Sequence, residues 1–138
     1  MKLILPLALQ AQIEAEAKAA FPRECCGLIE GLLSGGVFEA KALHPARNDA
    51  EAPDRFVIAP EDHLKASRLA RANGYGLIGC YHSHPHGAPS PSQHDWKGAG
   101  EENFLWVIAA CDSGACRIGA FVYRSSAFAP VAFMVGAD

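Results

Sequence analysis

Helical and strand periodicities alternate along this chain, and its longest apolar run, residues 104–111 (FLWVIAAC), is only strand-sized. No segment approaches the 18 or more apolar residues of a membrane-spanning helix. Residues 1–5 read as a first short strand. Across residues 8–20, Leu9, Ile13, Ala17 and Ala20 recur at helical spacing, opposed by Gln10, Gln12, Glu14, Glu16 and Lys18. That is an amphipathic helix, ended near Pro22. Residues 26–33 form a mostly apolar strand, Gly35-Gly36 a hairpin turn, and residues 37–43 its partner strand. A loop rich in Pro, Asn, Asp and Ala over residues 44–54 precedes a short strand at 55–58.

Pro60 opens a second helix, with Glu61 and Asp62 in its first turn and Lys65, Arg68 and Arg71 later, the order that the helix dipole favours. Asn73-Gly74 stops it, and a strand over residues 76–83 follows directly. After a loop at 85–91, Ser92 begins a short helix reaching about Gly100. Strands are expected at 104–110, 117–123 and 128–135. Pro130 has no N–H to donate to a ladder, so the last strand belongs at an edge or a bulge. This order predicts a single α/β domain over residues 1–138, a mixed sheet flanked by about three helices.

Composition narrows the function. Half of the residues are apolar and a fifth charged, the balance of a globular core former. Twelve basic residues, none adjacent to another, stand against fifteen acidic ones for a net charge of −3. That leaves no electrostatic footprint for phosphate backbones or anionic lipid, so neither nucleic acid nor a membrane surface is an expected partner. The first residues, Met1 to Pro6, lack the apolar core and cleavage site of a secretory signal and read as mature sequence. With five cysteines, an odd number, this points to free thiols in a reducing compartment, the cytoplasm.

Four of the six histidines fall between positions 82 and 94. Residues two apart on a strand share a face, so His82 and His84 place two imidazoles side by side, where a metal can bridge them. Pro85 restricts His84 to extended backbone. Asp95, in the first turn of the next helix, can return a carboxylate to the strand end. Two histidines and a carboxylate with a vacant fourth position are the donor set of a catalytic zinc, whereas a structural zinc is closed by four protein ligands. The same triad also suits iron, although oxygenases built on it use larger double-stranded β-helix folds. Taken singly, the signals are ordinary. Strand histidines are common, Ser92-x-x-Asp95 is a helix capping box, and His86 and His94 read as solvated residues within reach of a substrate.

Taken together, His82-Ser83-His84-Pro85 followed by Pro91-Ser92-x-x-Asp95 resembles the signature of the JAMM (MPN+) zinc metalloproteases. Upstream, Glu24-Cys25-Cys26-Gly27-Leu28-Ile29-Glu30-Gly31 resembles the family's Glu-x-Cys-Gly-Leu-Leu-x-Gly strand, and Asn48 with Arg55-Phe56 resembles its following loop and strand. The short chain is similar to the compact bacterial and archaeal members. The resemblance implies an MPN domain of cytidine-deaminase-like fold with a curved sheet. It implies that His82, His84 and Asp95 bind Zn2+, that Glu24 is the general acid/base for the attacking water, and that Ser92 donates a hydrogen bond to the oxyanion. One departure is Cys80, which stands where the family often has an aromatic residue. On a regular strand it shares the face of His82 and His84, and it reads as core filling. The pairs Cys25-Cys26 and Cys111/Cys116 read as buried thiols.

The function that the resemblance implies is zinc-dependent hydrolysis of a peptide or isopeptide bond after the C-terminal Gly-Gly of a small ubiquitin-like sulfur-carrier protein. Three rivals stand beside it. A non-catalytic MPN-type scaffold would lack the donor set that this chain keeps. A RadC-like nucleic-acid-associated protein shares the His-x-His-Pro…Ser-x-x-Asp pattern but adds a helix-hairpin-helix region for which this span has no residues. A phage-tail or cell-wall peptidase component would be expected to carry a second catalytic domain or an export signal.

Overall fold

The strand expected at 104–110 is buried from Leu105 onward, so both of its faces must be covered. The computed structural model, which describes residues 1–112 and 114–136, shows how. In chain order the elements are β1 (Lys2–Pro6), α1 (Leu7–Ala20), β2 (Cys26–Ser34), β3 (Val37–Ala46), α2 (Pro60–Ala72), β4 (Gly76–His84), α3 (Gln93–Gly98), β5 (Phe104–Cys111), β6 (Cys116–Arg124), β7 (Ala127–Pro130) and β8 (Ala132–Gly136). The strands form one mixed sheet in the order β7-β6-β5-β4-β2-β3-β1-β8. The pairs β1/β3, β1/β8 and β4/β5 are parallel, and the other neighbours antiparallel. The sheet curls almost into a barrel. In the link between the two edge strands, Val131 N–H donates to Ala120 O at 2.9 Å, and Ala132 N–H reaches Met1 O at 3.2 Å.

Helix α1 buries Ile13 and Ala17 in the larger core, with Leu3, Leu5, Phe38 and Tyr81. Helix α2 covers the other face through Ala66, which packs with Leu28, Cys80 and Trp106. Tyr81 ties β4 to α1: its ring is fully buried, and its hydroxyl donates to Glu16 Oε1 at 2.7 Å. Its cross-strand partner is Gly27, where a Cβ would overlap the tyrosine ring, so the glycine is what allows Tyr81 to lie there. At the hairpin, Gly35 and Gly36 have φ of 58° and 78°, the doubly positive pair of a two-residue type I′ turn. No described helix is long and apolar enough to cross a membrane.

Four sequence expectations change. Residues 55–58 do not form a strand but make a single bridge, Asn48 with Ile58, because the Asn48 side chain takes the neighbouring backbone groups that a ladder would use. Strand β3 runs on to Ala46 through Pro45, which is tolerated because β1 pairs only with residues 37–39, leaving that end of β3 an edge. The expected strand at 128–135 divides at Val131 into β7 and β8, which occupy opposite edges of the sheet, with Pro130 at the edge as expected. Finally, Cys111 and Cys116 are joined in a disulfide rather than standing as free thiols. They are register partners across β5 and β6, so the hairpin itself brings the two sulfurs together. Among the described residues, Cys25, Cys26 and Cys80 remain free.

Candidate functional site

Strand β4 ends at the site. The His82 ring packs against Phe56 and Trp106, and its Nε2 lies 3.1 Å from that of His84. Each of these nitrogens is also 3.1 Å from Oδ2 of Asp95. All three residues are buried. Hydrogen bonds do not explain three polar atoms converging pairwise in this way. Tetrahedral ligands bonded to zinc at ~2.0–2.1 Å stand roughly 3.3 Å from one another, so the triangle has the size of one face of such a shell. The donor chemistry and the spacing both fit a metal ion.

Each donor is aimed by its surroundings. Asp95 is third in α3, and its Oδ2 accepts Ser92 N–H at 2.9 Å while Ser92 Oγ accepts Asp95 N–H at 3.1 Å, a reciprocal capping box. Nδ1 of His84 lies 2.9 Å from Ala88 O, which can only accept, so the proton sits on Nδ1 and the Nε2 lone pair faces the triangle. His82 Nδ1 has no partner among the described residues. Its ring is held instead by stacking on Phe56, with centroids 4.3 Å apart and planes at 24°, and by the edge-on ring of Trp106 at 5.8 Å.

Glu24 stands in the segment between the turn at Pro22 and β2, and it is 5% exposed rather than a solvated turn acid. A carboxylate oxygen of Glu24 and ring nitrogens of both histidines lie within 4.8 Å of one another. Backbone anchors locate it. Cys25 N–H donates to Ser83 Oγ at 2.8 Å, Ser83 N–H to Cys25 O at 3.1 Å, and Asn48 Nδ2 to Glu24 O at 3.0 Å. Arg23 reaches Ala50 O. Glu24 Oε1 has no hydrogen-bond partner among the described residues. Burial pushes its carboxyl up to about 7, reinforced by Asp95 and Asp54 and opposed by His84. The group can therefore take up and release a proton near neutrality.

Burial raises the Asp95 carboxyl, but the imidazoles of His82 and His84 beside it outweigh burial and hold the group well below the usual carboxylate range. Burial likewise disfavours charge on both imidazoles. In His82, fully enclosed, that effect prevails and its pKa is lowered. In His84 the Asp95 carboxylate and Ala88 O prevail and its pKa is raised.

Of the residues singled out in the sequence, the structure brings His82, His84, Asp95 and Glu24 together, with Ser92 capping α3 beside them. Ser92 Oγ accepts the Asp95 N–H and keeps its own proton free to donate. Cys80 packs in the smaller core. His94 lies 3.3 Å from Asp54 Oδ2 and from Arg55 Nη2, and His86 meets Phe21 edge-on, both outside the triangle. Sequence reasoning missed Phe56, Ser83 and Asn48 as parts of the site. For Ser83 a signal existed: a residue between two same-face histidines must face the other way. Cavities flank the centre on both sides. One of about 560 Å³ is lined by Asp95, Phe56, Phe104 and Trp106, and one of about 670 Å³ by His84, Phe21, Pro85 and His86.

Fold and site define a small α/β domain with a buried His-His-carboxylate centre at the end of a central strand. Residues 6–121 match the family model for prokaryotic homologs of the JAB domain, and the chain belongs to that family. It is 31% identical over 107 residues to the tail tip assembly protein K of Escherichia phage N15, a match covering 76% of this chain and 40% of that protein. It is 29% identical over 92 residues to a desampylase of Haloferax volcanii (66% of this chain, 65% of the relative) and 31% over 85 residues to one of Pyrococcus furiosus (62% and 58%). The chain thus spans between two fifths and two thirds of these curated relatives. A solution structure from Desulfitobacterium hafniense superposes with a TM-score of 0.89 at 23% identity, over 99% of this chain and 94% of that one, and shows the same fold. A protein from Salinibacter ruber gives 0.72 at 28% identity, over 100% and 92%.

Proposed function

We propose that this chain is a zinc-dependent hydrolase of peptide or isopeptide bonds, acting after the C-terminal Gly-Gly of a small ubiquitin-like sulfur-carrier protein. The observation that carries the reading is the 3.1 Å triangle of His82, His84 and Asp95 beside the buried carboxyl of Glu24. His82, His84 and Asp95 would hold the zinc, which polarises a carbonyl and lowers the pKa of water towards 7. Glu24 takes a proton from the attacking water and returns it to the leaving amine, a role that its carboxyl near 7 suits. Ser92 Oγ–H donates to the oxyanion, a contact worth about 3 kcal/mol where a single donor has been removed in other hydrolases. Phe56 and Trp106 keep the His82 side of the site apolar.

The substrate class draws on the two similar desampylases. An extended tail enters the cavities beside the centre. It does not pair with β4 itself, which is flanked by β2 and β5 and offers no free edge. The reading places the protein in the cytoplasm, in keeping with the free thiols of Cys25, Cys26 and Cys80. The deciding experiment is mass spectrometry of a Gly-Gly carrier fusion incubated with zinc-loaded protein: a cut after the second glycine supports the reading, and an intact fusion rejects it.

A second reading has its own observation, the 107-residue match to the tail tip assembly protein K. In that reading the chain is a peptidase component of a phage tail or of cell-wall remodelling. It would cleave cross-linked peptides from cell wall and leave carrier fusions intact.

A further inference from the structure

We propose that Asn48 is a positioning residue that locks Glu24 and the Phe56–His82 stack into one rigid unit. Its carboxamide uses every hydrogen bond it has. Nδ2 donates to Glu24 O at 3.0 Å and to Arg55 O at 3.1 Å. Oδ1 accepts Ala50 N–H at 2.9 Å and Val57 N–H at 3.0 Å. Two of these contacts, to Arg55 and Val57, grip the residues on either side of Phe56. A third grips the backbone of Glu24 itself.

The two ends of this grip are the two residues at the centre that each keep one buried polar atom without a hydrogen-bond partner among the described residues. Glu24 Oε1 and His82 Nδ1 are both buried without a partner among the described residues. His84 and Asp95, in contrast, are each oriented by a backbone group, Ala88 O and Ser92 N–H. A metal-ligating imidazole is ordinarily oriented through its second nitrogen. Here His82 must take its orientation from ring contacts, and the closest is Phe56 at 4.3 Å. Glu24 stands outside any helix or strand, so its carboxylate is only as well placed as its backbone. One side chain, 24 residues along the chain from Glu24, serves both needs.

The test is Asn48→Asp in the full chain. Aspartate keeps both acceptor positions, for Ala50 and Val57, and loses both donations, to Glu24 O and Arg55 O. Asn48→Ala is the control without added charge. In metal-free protein, the His82 ring-proton signals, shifted by the Phe56 ring current, should move towards their unstacked values in both variants. The effect on turnover rests on the hydrolase reading above. In zinc-loaded protein kcat should fall about 10- to 100-fold while KM stays within about 2-fold, since sub-ångström misplacement of a catalytic group acts on kcat. An unmoved His82 signal overturns the proposal, and so does a kcat loss that only matches a loss of folded protein. If the wild type hydrolyses nothing while the ring signal moves, the hydrolase reading fails and the positioning role stands. Should the variants not fold, exchange of the Asn48 amide protons in the wild type decides: slow exchange supports the unit, and the rate of a free asparagine amide overturns it.

Discussion

Ser92 and Asp95 cap each other at the start of α3, and the same Asp95 Oδ2 that accepts the Ser92 N–H at 2.9 Å lies 3.1 Å from both His82 and His84. The helix terminus and the candidate metal centre therefore share one oxygen atom. The cap fixes where that oxygen stands relative to both imidazoles. The Ser-x-x-Asp motif is a capping box, and its carboxylate also faces both histidines.

It follows that Asp95→Ala disrupts two things and the histidine variants one. Protein purified without chelator should carry about one zinc per chain. His82→Ala, His84→Ala and Asp95→Ala should lose it by elemental analysis, and Cys80→Ser should keep it. Asp95→Ala should also cost the metal-free protein about 1 kcal/mol through the lost cap. If Cys80→Ser loses metal as fully as the histidine variants, the site is a closed four-ligand one and the open catalytic centre is wrong.

Binding and chemistry should separate at Glu24. Glu24→Gln is nearly isosteric and should retain zinc and substrate affinity while turnover collapses, because only the proton acceptor is gone. Ser92→Ala should lower kcat less and cost about 1 kcal/mol of stability as a lost cap. Near-normal kcat in Glu24→Gln would remove Glu24 from the mechanism.

The Glu24 carboxyl also predicts a pH dependence of the metal-free protein. Its pKa rises from 4.5 to about 7 on folding, chiefly through burial. Between those values the folded state holds a proton that the unfolded chain has released. Stability should therefore decline as pH rises from 4.5 to about 7 and level off above, by at most about 3 kcal/mol. Chemical denaturation across that range, run beside Glu24→Gln, should show a flatter profile in the variant. Parallel profiles would mean that Glu24 is ionised at neutral pH in the folded chain.

Thiol counting checks the cysteine assignment. Burial pushes Cys25 up to about 11 and Cys26 up to about 12, and raises fully enclosed Cys80 as well. At pH 8 only about one Cys25 in a thousand is thiolate, so alkylation of the native protein should be slow. Mass spectrometry should count three alkylated cysteines after denaturation without reductant and five after reduction. Five without reductant would show Cys111 and Cys116 to be free.

How much of this was legible in the sequence follows the distance over which each signal acts. The hairpin at Gly35-Gly36, the caps of α2 at Pro60 and Asn73, and the shared face of His82 and His84 are local, and the structure has them as expected. The break at Val131 was not readable, because it depends on β8 leaving β7 to pair with β1, some 130 residues back along the chain, at the opposite edge of the sheet. Nor was the disulfide, which depends on the β5/β6 register. Within the site, Phe56 reaches His82 across 26 residues of chain, and although Arg55-Phe56 stands out in the family resemblance, nothing in the sequence says that its ring stacks on His82.

Substrate choice is the remaining prediction. Recognition should rest on an extended tail lying through the cavities at Asp95 and His84. Specificity then sits next to the scissile bond. A Gly-Gly dipeptide brings no side chain to a centre packed by Phe56 and Trp106, and its backbone adopts conformations that other residues cannot. Cleavage is therefore expected directly after Gly-Gly in a sulfur-carrier fusion, with poor activity on lysine-linked ubiquitin dimers. Replacing the penultimate glycine by a bulkier residue should abolish it. Mass spectrometry of fusions with Gly-Gly and Ala-Ala junctions, run beside the dimers, reads all three outcomes. Efficient hydrolysis of the dimers with none of the carriers would reject the carrier substrate while leaving a zinc peptidase in place.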